Sequence, residues 1–450
     1  MLTGEYNFLL DHMWLTNIIA FILLILPFIC FFFNEKWLFG LYTISIIANL
    51  PIVFILRFNY SYELLIVNIL LIKLLIGIYK EQSVVYSINK DSLYLLLFLL
   101  TILFFNLLTS FFNFNHLEYF TRLIQYFGNI FLFIIYTYFF NKRDKIESNI
   151  NAMLMGALIL VGSMVVEMIY GYYALGVRNM RPAGLLLDPN VCAFSLNVCL
   201  MFSFFKRKNA SNLNIIYFIV SRIFILFGVF LTVSRSGYIA AIFILLYMTI
   251  DYSRSKEYLF PVLVSLIFIL FNFIFLKMVN RFWETIYNII DLKRIFPKDV
   301  NIPSNNPITP GEFIFPQENE RLTLIKTSVL IIYNNFLFGV GIGNVPIHMK
   351  INSGINLNSH NMVLQLLAES GIIMLIVIVV FIYYLFIFLK NTNPRNKWFF
   401  IMVLAVIIIE GQFNHNLLNI DLIWLILSFV LSIHLISSFD NKLNLARTFS

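Results

Sequence analysis

Apolar runs separated by short polar connections recur along nearly the whole chain. Runs of about 17 to 25 residues are long enough to cross a ~30 Å hydrocarbon core as α-helix. The pattern predicts spans near residues 13–33, 37–56, 62–79, 93–113, 122–140, 151–174, 190–205, 214–231, 236–250, 258–277, 371–389, 398–413 and 422–438. The ten-residue alternation of a membrane β-barrel is missing. The first run has no basic region ahead of it and no small-residue cleavage site behind it, so it reads as a retained span and not as a leader. The expected fold is all-α, a polytopic helical bundle of about 12 to 14 spans. Residues 1–450 form one transmembrane domain in this reading.

One long polar excursion interrupts the pattern, an expected cap loop over residues 278–360. Its first part, Asn280 to Pro316, carries Pro297, Pro303, Pro307, Pro310 and Pro316 among Asn and Ser and reads as irregular. Its second part, Gln317 to Asn334, places Leu322, Ile325, Val329 and Ile332 at helical spacing. That predicts a helix lying at the membrane interface and packed on the mouth of the bundle. Glycines at 339, 341 and 343 follow with no strand before them, which predicts a tight turn and not a dinucleotide fingerprint. From His360 the chain is expected to run as helix through Leu364, Leu367 and Glu369 into the next span.

Composition agrees with this class. Hydrophobic residues make up 60% and charged residues 12% of the 450, and mean hydropathy is +0.86, whereas a soluble domain has about a quarter of its residues charged. The net charge of +8 is spread over many short connections and not gathered into a stripe, so no nucleic-acid partner is expected. Sixteen lysines and arginines fall on one set of connections and five on the short connections opposite. The richer set is cytoplasmic by the positive-inside rule, which puts the cap loop outside. The five are Arg57, Arg122, Arg178, Arg181 and Arg235, with no lysine among them. Cys30, Cys192 and Cys199 all lie in or at the ends of apolar spans and read as packing residues, not as a disulfide framework.

Four polar clusters share the expected outer side: Arg178 to Asn190, Ser234-Arg235-Ser236-Gly237, Glu318-Asn319-Glu320-Arg321, and Ser359-His360-Asn361. An arginine near the hydrocarbon boundary costs a few kcal/mol unless it is paired, snorkelling or facing a wet cavity. Such arginines around one cavity point to an anionic amphipathic ligand, most naturally a lipid phosphate or pyrophosphate. His360 adds a group with an ordinary pKa of about 6.5, able to take a proton near neutrality. Together they suit transfer of a group from a lipid-linked phosphate donor to a hydroxyl. Elsewhere, Lys73 is expected to snorkel inward, Glu167 and Arg222 to pair, and His434 to pack on an apolar span. Glu410, His415 and Asp421 flank the last outer turn and are candidates for acceptor binding or for supporting the residues that bind.

Arg181-Pro-Ala-Gly184 with Asp188-Pro189-Asn190, then Ser234-Arg235-Ser-Gly237, then Phe338-Gly339-Val-Gly341-Ile-Gly343-Asn344, then His360-Asn361 with Leu364, Glu369 and Gly371, stand in order. This series resembles the motifs of the bacterial O-antigen ligase and O-antigen polymerase superfamily over roughly residues 150 to 390. Phe336 departs from it, where the family often has proline.

The resemblance implies a metal-independent, inverting glycosyltransferase of the membrane-integrated C type, with no cofactor. It would use undecaprenyl-pyrophosphate-linked glycans at the outer face of the bacterial cytoplasmic membrane. Arg181, Arg235 and Arg321 would hold the pyrophosphate and His360 would accept the proton of the acceptor hydroxyl or orient it, with Asp188, Asn190, Asn361 and Glu369 in support. The leading expectation is a repeat-unit polymerase, with a chain-length-regulating protein as a further partner. A ligase acting on lipid A-core uses the same donor chemistry, and a flippase for lipid-linked sugars would need only the cationic cavity.

Overall fold

The computed structural model describes residues 13–33, 35–50, 52, 62–81, 128–133, 135–137, 143–170, 181–186, 188–204, 212–252, 318–355, 357–359, 361–392, 394–411 and 422–433. Among them every regular element is helical and there is no strand. The helices are α1 (Met13–Phe32), α2 (Glu35–Ala48), α3 (Tyr62–Glu81), α4 (Arg143–Tyr170), α5 (Pro189–Ser203), α6 (Asn212–Leu231), α7 (Arg235–Tyr252), α8 (Glu318–Asn334), α9 (Val345–Ser353), α10 (Met362–Asn391) and α11 (Pro394–Gly411). A last apolar helix, α12, covers Leu422–Ile433. Met13–Phe32, Lys145–Ile169 and Met362–Lys390 are long and apolar enough to cross a membrane by length and composition.

Burial explains the arrangement. Helix α5 is buried on nearly every side and sits among its neighbours, with both Cys192 and Cys199 fully buried. It is ringed by α4, α6, α7 and α11. Its start is well signalled: Asp188 is the N-cap, accepting the Asn190 N–H at 2.8 Å, and Pro189 occupies the first turn, where its missing N–H costs nothing. Helix α2 packs along α4, and Thr43 donates a buried hydrogen bond to Asn149 Oδ1 at 2.6 Å between them. Helices α1 and α10 instead leave large apolar side chains uncovered, among them Phe21, Phe28, Ile376, Tyr383 and Phe386. Such surface is untenable in water and ordinary against lipid tails.

Several predicted boundaries move. The span expected at 37–56 stops at Ala48, where Asn49 turns with φ 50 just ahead of Pro51. The span expected at 151–174 begins earlier, at Arg143. The span expected at 371–389 belongs to the 30-residue α10, whose course breaks at Gly371 (φ 66, ψ −158). The expected spans 93–113 and 258–277 and the proline-rich part of the cap loop lie outside the described residues.

A helix is present over the expected stretch, as α8, but its packing face differs from the expected stripe. Leu324, Thr327, Ser328 and Ile331 are buried, against α9 and α10, while Ile325 and Val329 point away from the protein. Thr327 and Ser328 stand on the packed side between Leu324 and Ile331, where small hydroxyl residues let helices approach closely.

The expected Glu167–Arg222 pair gives way to two separate anchors. Arg222 donates to Ser203 Oγ at 3.0 Å and Ser203 O at 2.6 Å, with its guanidinium 4.0 Å from the Phe204 ring. Glu167 accepts from Ala183 and Gly184. The two contacts lie at opposite ends of α5, a helix of 15 residues and thus ~22 Å long. The Lys73 ammonium caps α1 by donating to Phe31 O at 2.9 Å and to Phe33 O.

Candidate functional site

The Arg181 loop is held from below. Glu167 is buried, and its Oε2 accepts the N–H of Ala183 at 2.9 Å and of Gly184 at 2.6 Å. Gly184 turns with φ 58, a conformation glycine adopts without penalty. Successive backbone N–H groups converging on one carboxylate form an anion nest. This seat fixes where Arg181 emerges.

From there Arg181 reaches across to the connection between α6 and α7. Its Nε donates to Thr232 O at 3.1 Å and its Nη2 to Asn190 Oδ1 at 3.2 Å. The same Asn190 oxygen accepts from Ser234 Oγ at 3.0 Å, and Ser234 Oγ lies 3.1 Å from Ser236 Oγ. The Gly237 N–H donates to Ser234 Oγ at 3.3 Å, so Ser234 caps the start of α7. Arg235 is the first residue of that helix and its side chain is exposed. Two of the four clusters expected on the outer side are therefore one hydrogen-bonded unit, in which Arg181 is bonded to the connection that leads into Arg235.

The histidine turn is built separately. Asn361 is the N-cap of α10 and accepts the Leu364 N–H at 3.0 Å. Buried Gln365 accepts at Oε1 from Ser359 N–H (3.2 Å) and Ser359 Oγ (3.0 Å). Its Nε2 donates to Asn358 Oδ1 (3.1 Å) and to Glu369 Oε1 (2.7 Å). The backbone is thus pinned on both sides of position 360. His360 itself lies outside the described residues, as do Arg178, His415, Asp421 and His434 and the side chain of Arg321 on α8.

The glycine stretch is more than a turn. Val340 N–H donates to Ala368 O at 2.8 Å and Gly341 N–H to Glu369 O at 2.9 Å. The Gly343 N–H reaches Glu369 Oε1 at 3.3 Å, and Ile372 N–H donates to Phe336 O at 2.8 Å. A Cβ on Gly339 would sit 2.4 Å from the Glu369 carbonyl, and one on Gly371 2.5 Å from Leu337 O. Backbone lies against backbone here, and the break in α10 frees the peptide groups that the glycine stretch takes up.

The two halves meet at the end of α11. Glu410 Oε1 accepts from Asn197 Nδ2 at 3.2 Å, and Ser236 is a second side-chain partner. The neighbouring Gly411 abuts Met362, whose Cε would lie 3.2 Å from a Cβ there. A continuous path of contacts therefore runs from Arg181 through Asn190, Ser234, Ser236, Glu410 and Gly411 to the first turn of α10.

A family model described as O-antigen ligase matches residues 220–379. That match supports the O-antigen ligase and polymerase superfamily as what this segment of the chain is similar to. The match takes in Ser234 to Gly237, α8, the glycine stretch, His360 and the Gly371 break, about a third of the chain. It is narrower than the resemblance read over 150 to 390, leaving out Arg181 to Asn190. No curated protein matches the chain. Members of that family are glycosyltransferase-like enzymes acting on lipid-linked glycans, and the match together with the apolar helices suggests a membrane protein.

Sequence reading missed three parts of the site. Helix α9 was signalled by Pro346 in its first turn and by Gly354, left-handed with φ 75, at its end. The nest role of Glu167 and the bridging role of Gln365 left no local signal, because their partners are backbone amides or residues that become neighbours only in the fold.

Proposed function

We propose that this protein is a repeat-unit polymerase. It transfers a glycan from an undecaprenyl pyrophosphate carrier to a sugar hydroxyl of another lipid-linked unit, at the outer face of the cytoplasmic membrane. The observation that carries the reading is the joining of Arg181 to the turn that bears Arg235, through Thr232 O at 3.1 Å and the shared Asn190 oxygen.

A pyrophosphate diester carries about two negative charges and gains more as its bond to the sugar breaks, so fixed guanidinium groups stabilise the transition state more than the ground state. Arginine suits this task because its planar fork donates to two phosphate oxygens at once and never loses its charge. Arg321, on α8, joins them from the cap.

The acceptor oxygen attacks the anomeric carbon as the carbon–oxygen bond to pyrophosphate breaks, which inverts the configuration. The leaving pyrophosphate keeps the bonding electron pair, held by Arg181 and Arg235. The hydroxyl proton passes to His360. In this reading the arginines do the charge stabilisation that a metal ion does in other glycosyltransferases, and residues 278–360 form the outer cap.

The test is genetic and then biochemical. Deletion of a polymerase leaves surface glycan one repeat long, whereas deletion of a ligase leaves bare core with polymer trapped on the carrier. Arg235→Ala is expected to lower elongation by roughly 10²- to 10³-fold and His360→Ala to abolish it, each with normal membrane insertion. Polymer of normal length and yield in both variants would overturn the catalytic reading. Bare core in the deletion strain would replace polymerase by ligase.

A further inference from the structure

Beside the first turn of α7 lies a carboxyl group to which the reaction above assigns no task. Glu410 sits in the last turn of α11 and is wholly buried, at 0% exposure. Everything described as bonding to it is neutral: Asn197 Nδ2 at 3.2 Å and the Ser236 side chain. Asn197 is itself fully buried and its Nδ2 also donates to Gly237 O at 2.9 Å. Two acceptor atoms are left over, Glu410 Oε2 and Asn197 Oδ1, both buried and both without a donor. Buried polar atoms are nearly always satisfied, so two orphans on two groups already joined call for one more donor between them. An acid O–H or an amide N–H at position 410 is a donor of that kind.

The location gives the group a task. On one side, Asn197 and Ser236 tie Glu410 to the first turn of α7, which begins at Arg235. Gly237 is seated so closely that a Cβ there would lie 2.5 Å from Ala193 Cβ, leaving this turn little room to shift independently of α5. On the other side, Gly411 packs on Met362, the residue after the Asn361 cap. The end of α11 is therefore wedged between the turn that carries Arg235 and the turn that carries His360.

We propose that Glu410 is a positioning residue, which holds the donor arginines and the acceptor turn in one register, and that it acts through hydrogen bonds and not through charge. The proposal rests on the glycosyl-transfer reading above and adds to it the element that couples the two halves of the site. A shift of ~1 Å between reacting groups costs about 10²-fold in rate while leaving binding largely intact.

The experiment compares Glu410→Met, which keeps the volume and removes the hydrogen bonds, with Glu410→Gln, which keeps the shape and supplies an amide donor. Full-length proteins are purified in detergent and assayed with lipid-linked repeat units extracted from the deletion strain. Rates are expressed per folded molecule, from size-exclusion profile and melting curve. Glu410→Met is expected to lower kcat about 10- to 100-fold with the donor KM changed less than threefold, and Glu410→Gln to stay within about threefold of wild type. Wild-type kcat in Glu410→Met overturns the positioning role, and a loss in Glu410→Gln as deep as in Glu410→Met overturns action through hydrogen bonds. Failure of the wild-type protein to elongate the extracted units sinks the transfer reading itself, which separates the two failures. Should Glu410→Met not fold, Glu410→Gln against Asn197→Leu, the latter removing the pair from the α5 side, decides in the same way.

Discussion

Arg181 Nη2 lies 3.2 Å from Asn190 Oδ1, an oxygen that also accepts from Ser234. The loop before α5 and the turn before α7 are therefore locked by one side-chain amide. A lysine at 181 offers a single ammonium and cannot donate to Thr232 O and Asn190 Oδ1 in the same fork geometry. Arg181→Lys is expected to fold normally and to lose about 10²-fold in initial rate with lipid-linked donor. A wild-type rate from the purified variant would show that charge alone suffices there.

Gly339 and Gly371 are expected to be intolerant of alanine for a reason separate from chemistry. Both have positive φ (66 in each), and the added Cβ meets backbone that cannot swing aside, at 2.4 Å and 2.5 Å. The conformation alone costs about 1 to 3 kcal/mol, and the collision adds to it. Gly354 is the control, since its φ of 75 meets open space, so Gly354→Ala should cost only about 1 kcal/mol. Melting curves in detergent should separate the first two variants from the third.

Gln365 carries four hydrogen bonds that tie Ser359, Asn358 and Glu369 together. Gln365→Leu leaves buried donors and acceptors without partners, at about 1 to 3 kcal/mol. Gln365→Glu exchanges the amide that sits 2.7 Å from Glu369 for a second carboxyl group, which is expected to be worse at pH 7 because like charges repel at that distance. The stability order wild type, Leu, Glu, read from melting temperatures, checks this. A Glu variant as stable as wild type would sink it.

His348, on α9, is pulled below the ordinary imidazole pKa of 6.5 because burial disfavours its charged form. A folded pKa below the unfolded one means that the unfolded chain binds the proton more readily. Its contribution to stability is therefore fully present above pH 6.5 and is lost as the pH falls through the lower folded value. Hydrogen exchange of the amides in Val345–Ser353 should show protection that declines on acidification, and His348→Gln should remove that decline. Protection that rises on acidification would contradict the burial argument.

How far the site was legible depended on whether each feature is a property of one segment or of two. The Asp188-Pro189 start of α5, the Asn361 cap and the helix over Glu318–Asn334 are written in neighbouring residues, and all were readable. The glycines at 339, 341 and 343 read only as a turn, because their seat against Glu369 lies about 30 residues further on in the chain. The outward face of α8 was misjudged for a related reason. Apolar periodicity says that a stripe avoids water, and in a membrane both lipid and protein satisfy that demand.

The sequence by itself determined the all-helical, apolar class and the order of the motifs that resemble the O-antigen ligase and polymerase superfamily. Those follow from hydropathy, charge and local capping, which act over a few residues. Only the tertiary structure decided that Arg181 bonds the turn before Arg235, that Gln365 and the glycine stretch share Glu369, and that the end of α11 joins the two halves. The physical reason is that a hydrogen bond needs its partners within about 3 Å. No one-dimensional pattern records which buried groups helix packing will bring that close.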